Sequence, residues 1–208
     1  MEINDGYGEN LVKIARGIIE QYVSKGEAHQ PSKYFARKFN KKLGVCVTIN
    51  ICKGEDKVLR ECIGFPQPVK HLMEVLIDAS IGSVAFDYRF HPVTEDERGI
   101  ITVEVSVLTE PRLIHVSSPT EYQSQIKIGE DGRIVKLAKG SGLLLPQVPY
   151  QQGWGTQEFL SNACVKADLI PDFWLKTQTE IYKFQAKVYR EVSPRGSVVR
   201  ERFDNSNI

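Results

Sequence analysis

The residues with the most chemistry in them fall on one short hairpin. Leu59-Arg60-Glu61-Cys62-Ile63-Gly64 follows a stretch in which Val45, Val47, Ile49 and Ile51 alternate with Cys46, Thr48, Asn50 and Cys52. That alternation marks a half-buried strand. Lys53-Gly54-Glu55-Asp56-Lys57 reads as its turn, with Gly54 supplying positive φ, and residues 58–65 as the return strand. A three-residue loop at 54–56 sets Cys52 against Val58, Asn50 against Arg60 and Thr48 against Cys62, all on the polar face. Leu59 and Ile63 then join Ile51 and Val47 on the apolar face. A two-residue loop would flip the second strand. The three-residue register is preferred because it gathers the apolar residues on one side. Its awkward member is Glu61, which joins the apolar side near Ile49, where an edge position or a lobe boundary could expose it.

A third alternation places Thr102, Glu104 and Ser106 between Ile101, Val103, Val105 and Val107. In the same sheet, its polar face brings Glu104 to the hairpin. Cys62, Arg60 and Glu104 are then a candidate catalytic set. A neighbouring cation lowers a thiol pKa, and the thiolate is the nucleophile. A carboxylate beside it moves protons or orients a substrate. Thr48 and Asn50 are the candidate substrate-binding groups, and Arg60 can instead clamp a carboxylate or phosphate. The competing structural reading makes Arg60 and Glu104 a cross-strand ion pair and Cys62 a small buried hydrophobe.

Other elements must position these strands. Leu11, Ile14, Ala15, Ile18, Ile19 and Tyr22 recur at helical spacing, and Gly26 ends that helix. Ser32 caps a second, shorter helix running to about residue 40. Leu72, Val75, Leu76, Ala79 and Phe86 continue at helical spacing after Pro68. Ser117–Glu121 is at most a short helix start. Residues 126–128 and 133–137 flank Gly129-Glu130-Asp131-Gly132 as a second hairpin. Residues 140–154 read as a Gly- and Pro-punctuated loop. A helix opens at Thr156, Pro171 starts one more turn, and Tyr182, Phe184, Ala186 and Val188 alternate on a final strand. The mixture lacks βαβ regularity. It predicts an α+β fold, an antiparallel sheet flanked by helices. The domain is expected to span 8–191, with 192–208 a mobile tail.

Composition sets outer bounds. The 208 residues are 41% hydrophobic and 25% charged. A chain of 23.5 kDa buries about 70% of its unfolded surface, so the core needs no disulfide or metal. The sequence pI of 7.7 argues against a dedicated nucleic-acid binder, although Lys33, Arg37, Lys38, Lys41 and Lys42 crowd one stretch. The bland reading of that run is a solvated helix face. No apolar run is long enough to span a membrane, and the first ten residues do not resemble a signal peptide. The expected compartment is the cytoplasm. Cys46, Cys52, Cys62 and Cys164 lack CxxC spacing, His29, His71, His91 and His115 are scattered, and no Gly-rich phosphate loop occurs. No cofactor and no metal site are expected. Cys164, Trp154 and Trp174 read as packing residues.

The hairpin also resembles a family signature. Leu59–Gly64 is similar to the LRGCIG motif of the AMMECR family, named for the Alport-syndrome, midface-hypoplasia and elliptocytosis chromosomal region. Further matches are Phe86-Asp87-Tyr88-Arg89-Phe90, Glu104-Val105-Ser106-Val107-Leu108 and Gly142-Leu143-Leu144-Leu145-Pro146-Gln147-Val148. Trp154, Glu158-Phe159-Leu160 and Cys164-Val165-Lys166-Ala167 follow in the family's order. The resemblance implies an α+β domain of two lobes, the smaller packed against the larger, and an activity not yet established. It adds Gln147 and Lys166 as candidate substrate-binding residues. It also implies an association with Memo-like and radical-SAM proteins, and so a modification or redox pathway. Two positions depart from the pattern: Glu61 and Asp168 stand where the family usually has Gly. A side chain at 61 would obstruct a ligand approaching the backbone there, or add charge to it. Two functions remain open: a thiol-dependent enzyme, or an adaptor that binds a protein partner or small anion. Contact with nucleic acid through the 33–42 run is the weakest.

Overall fold

A computed structural model describes residues 5–27, 33–54, 56–86, 91–137 and 140–203. The chain divides into two compact units, 1–108 with 187–201, and 109–186 with 202–208.

The first unit is a sheet backed by helices. Strands β1 (Gly44–Lys53), β2 (Asp56–Phe65) and β3 (Ile101–Leu108) lie in the order β2-β1-β3, all antiparallel. The long strand β7 (Glu180–Glu191) follows β3, and its last residues pair with β8 (Val198–Glu201). Helices α1 (Asp5–Lys25) and α3 (Leu72–Ala85) carry the apolar cover, and α2 is the short helix Lys33–Lys38. Leu11, Val12, Ala15 and Ile19 of α1 and Leu72, Val75, Leu76 and Ala79 of α3 share one core with Val45, Val47, Ile49, Val103 and Val105. Each fully buried aliphatic side chain contributes about 1.5–3 kcal/mol. Gly26 closes α1 at φ +70°, its N–H bonding the Tyr22 carbonyl at 2.8 Å, a left-handed cap that glycine adopts without strain. Arg16 and Glu191 form a buried ion pair inside this unit. Glu191 also accepts the Val103 N–H, and Arg16 donates to the Ile101 carbonyl at 2.8 Å. These bonds tie α1 to the ends of β3 and β7.

The second unit has its own small sheet. Strand β5 (Asp131–Leu137) lies between β6 (Gly140–Leu144) and the first part of β7, and β4 (Arg112–Leu113) pairs with β7 from 182 to 183. Helices α4 (Gln147–Gln152) and α5 (Thr156–Val165) follow β6. Phe159, Leu160, Ala163 and Cys164 of α5 pack with Val135, Leu144, Ile181 and Trp174. Gly142 makes this possible: a Cβ there would stand 2.4 Å from the Ala163 carbonyl oxygen and 2.6 Å from the Ala167 nitrogen. The α+β expectation, an antiparallel sheet with several helices, is therefore met.

Four expectations are corrected. Residues 193–201 are not a tail, because β8 pairs with β7 through Glu201. Residues 126–128 form no strand; the turn at Gly129 (φ +81°) leads from a 3-10 helix at 119–125 into β5, whose partners are β6 and β7. The 140–154 stretch holds β6 and α4 rather than loop alone. The helix after Pro68 begins at Leu72, with His71 as its N-cap. Ser32, residues 87–90 of the family motif and residues 204–208 lie outside the described residues.

Candidate functional site

The site begins with the register of the hairpin. Val47 faces Ile63, Thr48 faces Cys62 and Ile49 faces Glu61. The register then slips by one, so that Asn50 faces Leu59, Ile51 faces Val58 and Cys52 faces Lys57. Arg60 is the extra residue, a bulge on the edge strand. The turn has two residues, closed by the pair Lys53 and Asp56. The bulge then restores, beyond Ile49, the faces that a three-residue loop would give. Asn50 therefore does not oppose Arg60, and Leu59 is 48% exposed rather than set on the apolar face.

On β1's other side, Cys46 faces Ser106, Thr48 faces Glu104 and Asn50 faces Thr102. Cys62, Thr48 and Glu104 consequently form one row across three strands, their side chains on one face. The Thr48 hydroxyl donates to Cys62 Sγ at 3.3 Å. A hydrogen bond to sulfur favours its anionic form. Thr48 and Glu104 are nearly buried and Cys62 is half-buried. In the next row, a Cβ on Gly64 would stand 2.1 Å from Cys46 Sγ. The glycine that ends the signature makes room for that thiol.

Arg60 has a different occupation from the one expected. Its Nη1 donates to Glu61 at 2.9 Å, Nε to Glu97 at 3.0 Å, and Nη2 to Glu97 at 3.4 Å and to the His91 carbonyl at 2.7 Å. Among the described residues these four bonds draw on a guanidinium with five N–H donors. They fasten the segment before β3 to the bulge. Glu61 is only 1% exposed, so the expectation of an exposed carboxylate fails; Arg60 supplies the charge that makes its burial tolerable. Glu61 belongs to the opposite row position from Cys62, paired with Ile49, so it does not stand over the thiol. Burial works against the charge of Glu97, but bonds from Arg60 and Thr94 outweigh it and hold this carboxyl below the usual glutamate range.

The sequence reading passed over Lys57 as a turn residue. The slipped register puts it opposite Cys52, on the face of Thr48 and Cys62. Its Nζ donates to the Glu191 carbonyl at 2.9 Å. Lys57 is exposed overall, yet desolvation of its ammonium first, and Arg190 second, hold it below the usual lysine range, while Cys52, Glu201 and Glu104 act in the opposite sense. Three strand spacings separate β2 from β7, about 14 Å in a flat sheet and more than a lysine side chain spans. The sheet of this unit therefore curls toward its polar face.

Gln147 and Lys166 belong to the second unit. Gln147 opens α4 and is 5% exposed; Lys166 ends α5 with an exposed side chain. Asp168 takes φ +59° at the end of α5, with its N–H on the Val165 carbonyl and the Leu169 N–H on the Cys164 carbonyl, both at 3.0 Å. That is a Schellman turn, which explains why glycine suits the position. Cys164 is fully buried, and desolvation pushes its thiol up to about 11. Arg37, Lys41 and Lys42 are exposed, but α2 ends at Lys38, so the basic run is not one helix face. Among the described residues, no group of three or more His, Cys, Asp or Glu side chains is placed to hold a metal ion. No described helix is long and apolar enough to cross a membrane.

Comparison with known proteins agrees with the signature. The AMMECR1 family model matches residues 12–189. The chain belongs to the AMMECR1 family. It is 45% identical over 201 residues to Protein PH0010 of Pyrococcus horikoshii, covering 96% of this chain and 97% of that one. It is 44% identical over 195 residues to Protein MJ0810 of Methanocaldococcus jannaschii, covering 94% and 95%. The crystal structure of the uncharacterized protein PH0010 superposes with a TM-score of 0.92 over 97% of this chain and all of that chain. None of these names carries an activity.

Proposed function

We propose that this AMMECR1-family chain is a thiol-dependent enzyme whose working surface is the polar face of β2, β1 and β3. Cys62 is the reacting atom. Thr48 holds its sulfur by the 3.3 Å hydrogen bond and favours the thiolate, the nucleophilic form. Glu104, next to Thr48 in the same row, serves the substrate as a proton acceptor or a hydrogen-bond partner. Asn50, one row along, offers an amide. Arg60 is left out of the chemistry, because its bonds to Glu61, Glu97 and the His91 carbonyl make it a positioning residue for the bulge. A thiol of this kind needs a reducing compartment, which fits a cytoplasmic protein. The observation that carries the reading is the alignment of Cys62, Thr48 and Glu104 in one row, with the hydrogen bond already made.

A second reading has support in Arg60's engagement. With that cation held in structural ion pairs, the same face is a recognition surface for a protein partner or small anion, and Cys62 is a packing residue. The two readings part on reactivity. The enzyme reading expects Cys62 to be alkylated fastest of the four cysteines in the folded protein, and Cys62→Ser to fold normally. The binding reading expects all four to stay slow until unfolding, with thermal stabilisation by the ligand instead.

A further inference from the structure

Two cations stand together at the turn end of the same face. Lys57 on β2 and Arg190 on β7 are close enough for Arg190 to be the second largest influence on Lys57, after desolvation of its ammonium. Lys57 makes one hydrogen bond, to the Glu191 carbonyl, and no ion pair among the described residues. Arg190 gives its Nε to Glu201, and among the described residues its Nη groups make no hydrogen bond. Glu201 already pairs with Arg190 and acts on Lys57, so one carboxylate faces two cations and the site keeps an excess of positive charge, which a bound anion would offset. The curl of the sheet brings them together: Lys57 is carried over by the slipped register, and Arg190 stands beside the very residue whose carbonyl Lys57 bonds. Glu104 and Cys52 both act on Lys57, and the register puts Lys57 two rows along the same face from the row that holds Cys62.

We infer that Lys57 and Arg190 form an anion subsite, and that the substrate of this face carries a phosphate or carboxylate group. The inference rests on the thiol reading for its reacting end and on the cation pair alone for its anionic end. Lys57 meets the anion as a point charge, and the Arg190 Nη groups meet it as a fork. Arg60, on the bulge, takes no part. The substrate's anionic group then docks near the turn, and its reacting centre lies farther along the strands toward Cys62.

The test is protection of Lys57 from amine acylation, read residue by residue by mass spectrometry, with inorganic phosphate and then acetate titrated at constant ionic strength. Lys53, exposed on the same hairpin, is the internal control. The expected result is a severalfold slowing at Lys57 with Lys53 unchanged, and loss of that protection in Arg190→Gln. Protection by phosphate but not acetate names a phosphate-bearing substrate; the reverse names a carboxylate. A Lys57 rate that neither anion changes would overturn the inference. Cys62 is not read, so an unreactive thiol leaves this outcome intact, and an absent subsite leaves the thiol reading intact. Lys57→Arg keeps the charge and is expected to keep the phosphate-dependent rise in melting temperature that Lys57→Gln loses. A rise of equal size in all three proteins would also overturn the inference.

Discussion

Arg60→Gln separates the two roles open to this arginine. The substitution removes a guanidinium whose Nη1 lies 2.9 Å from a carboxylate that is 1% exposed. Taking one partner from a buried pair costs about 3–5 kcal/mol. Arg60 and Glu97 are partly solvated, their side chains 14% and 21% exposed, so the lower end applies, about 3 kcal/mol. For a chain of this length that lowers Tm by about 6–12 °C. Glu61→Gln keeps a polar group on Arg60 and leaves the Glu97 bonds in place, and is expected to cost about 1 kcal/mol. The double variant should cost less than the sum, with a coupling near 2 kcal/mol. Far-ultraviolet circular dichroism is the suitable probe, because both tryptophans, Trp154 and Trp174, belong to the second unit. The pH dependence has a definite sign. Glu97 titrates below its ordinary range when folded, so its contribution is present in full at neutral pH. It is lost as the pH falls below about 4.3, where the unfolded chain's glutamates take up protons. The penalty of Arg60→Gln should shrink over that same window. A loss below about 1 kcal/mol, accompanied by slower Cys62 alkylation, would refute the positioning role and return Arg60 to the thiol.

Three more outcomes follow from the packing. Asp168→Gly relieves a left-handed residue at the end of α5 and should raise stability by about 0.5–1 kcal/mol, seen as a rise of a few degrees in Tm. Gly142→Ala drives a methyl against the α5 backbone and should cost at least about 1–3 kcal/mol in a denaturant titration followed by tryptophan emission; an unchanged midpoint would mean that β6 moves freely against α5. Cys164, buried and with its thiol pushed up to about 11, should resist alkylation at pH 8 until denaturant unfolds the second unit.

Much of the site was legible because strand alternation is a strong signal. Val45 to Ile51 and Ile101 to Val107 announced two strands, and the pairing of Thr48 with Cys62 came out right because a two-residue turn plus one bulge gives, beyond Ile49, the register of the three-residue loop that was expected. The bulge was not legible. Nothing in the order of Leu59, Arg60 and Glu61 says which residue the ladder skips, since a bulge is set by the twist of the pair and by the partners waiting beside it. Its consequences were therefore missed together: Lys57 on the polar face, Leu59 exposed, Glu61 buried with Arg60. Glu97 was hidden for a similar reason, as one carboxylate in a polar run whose partner comes from 37 residues away. In the second unit, Leu144 and Leu145 are buried and Leu143 partly so. The glycines and prolines around them read as loop, whereas Gly142 serves close packing and Pro146 precedes a helix.

The measurement that bears most directly on the thiol site is the pH–rate profile of Cys62 alkylation in the folded protein and in Thr48→Val. The Thr48 hydroxyl is worth about 1 kcal/mol to the anionic sulfur. Thr48→Val should therefore slow alkylation about fivefold at neutral pH, and the two profiles should converge at high pH, where the thiol is ionised in both. Cys52 supplies the reference rate within each sample. Coincident profiles for the two proteins, or a Cys62 that reacts only after unfolding, would contradict the account and leave this face to binding.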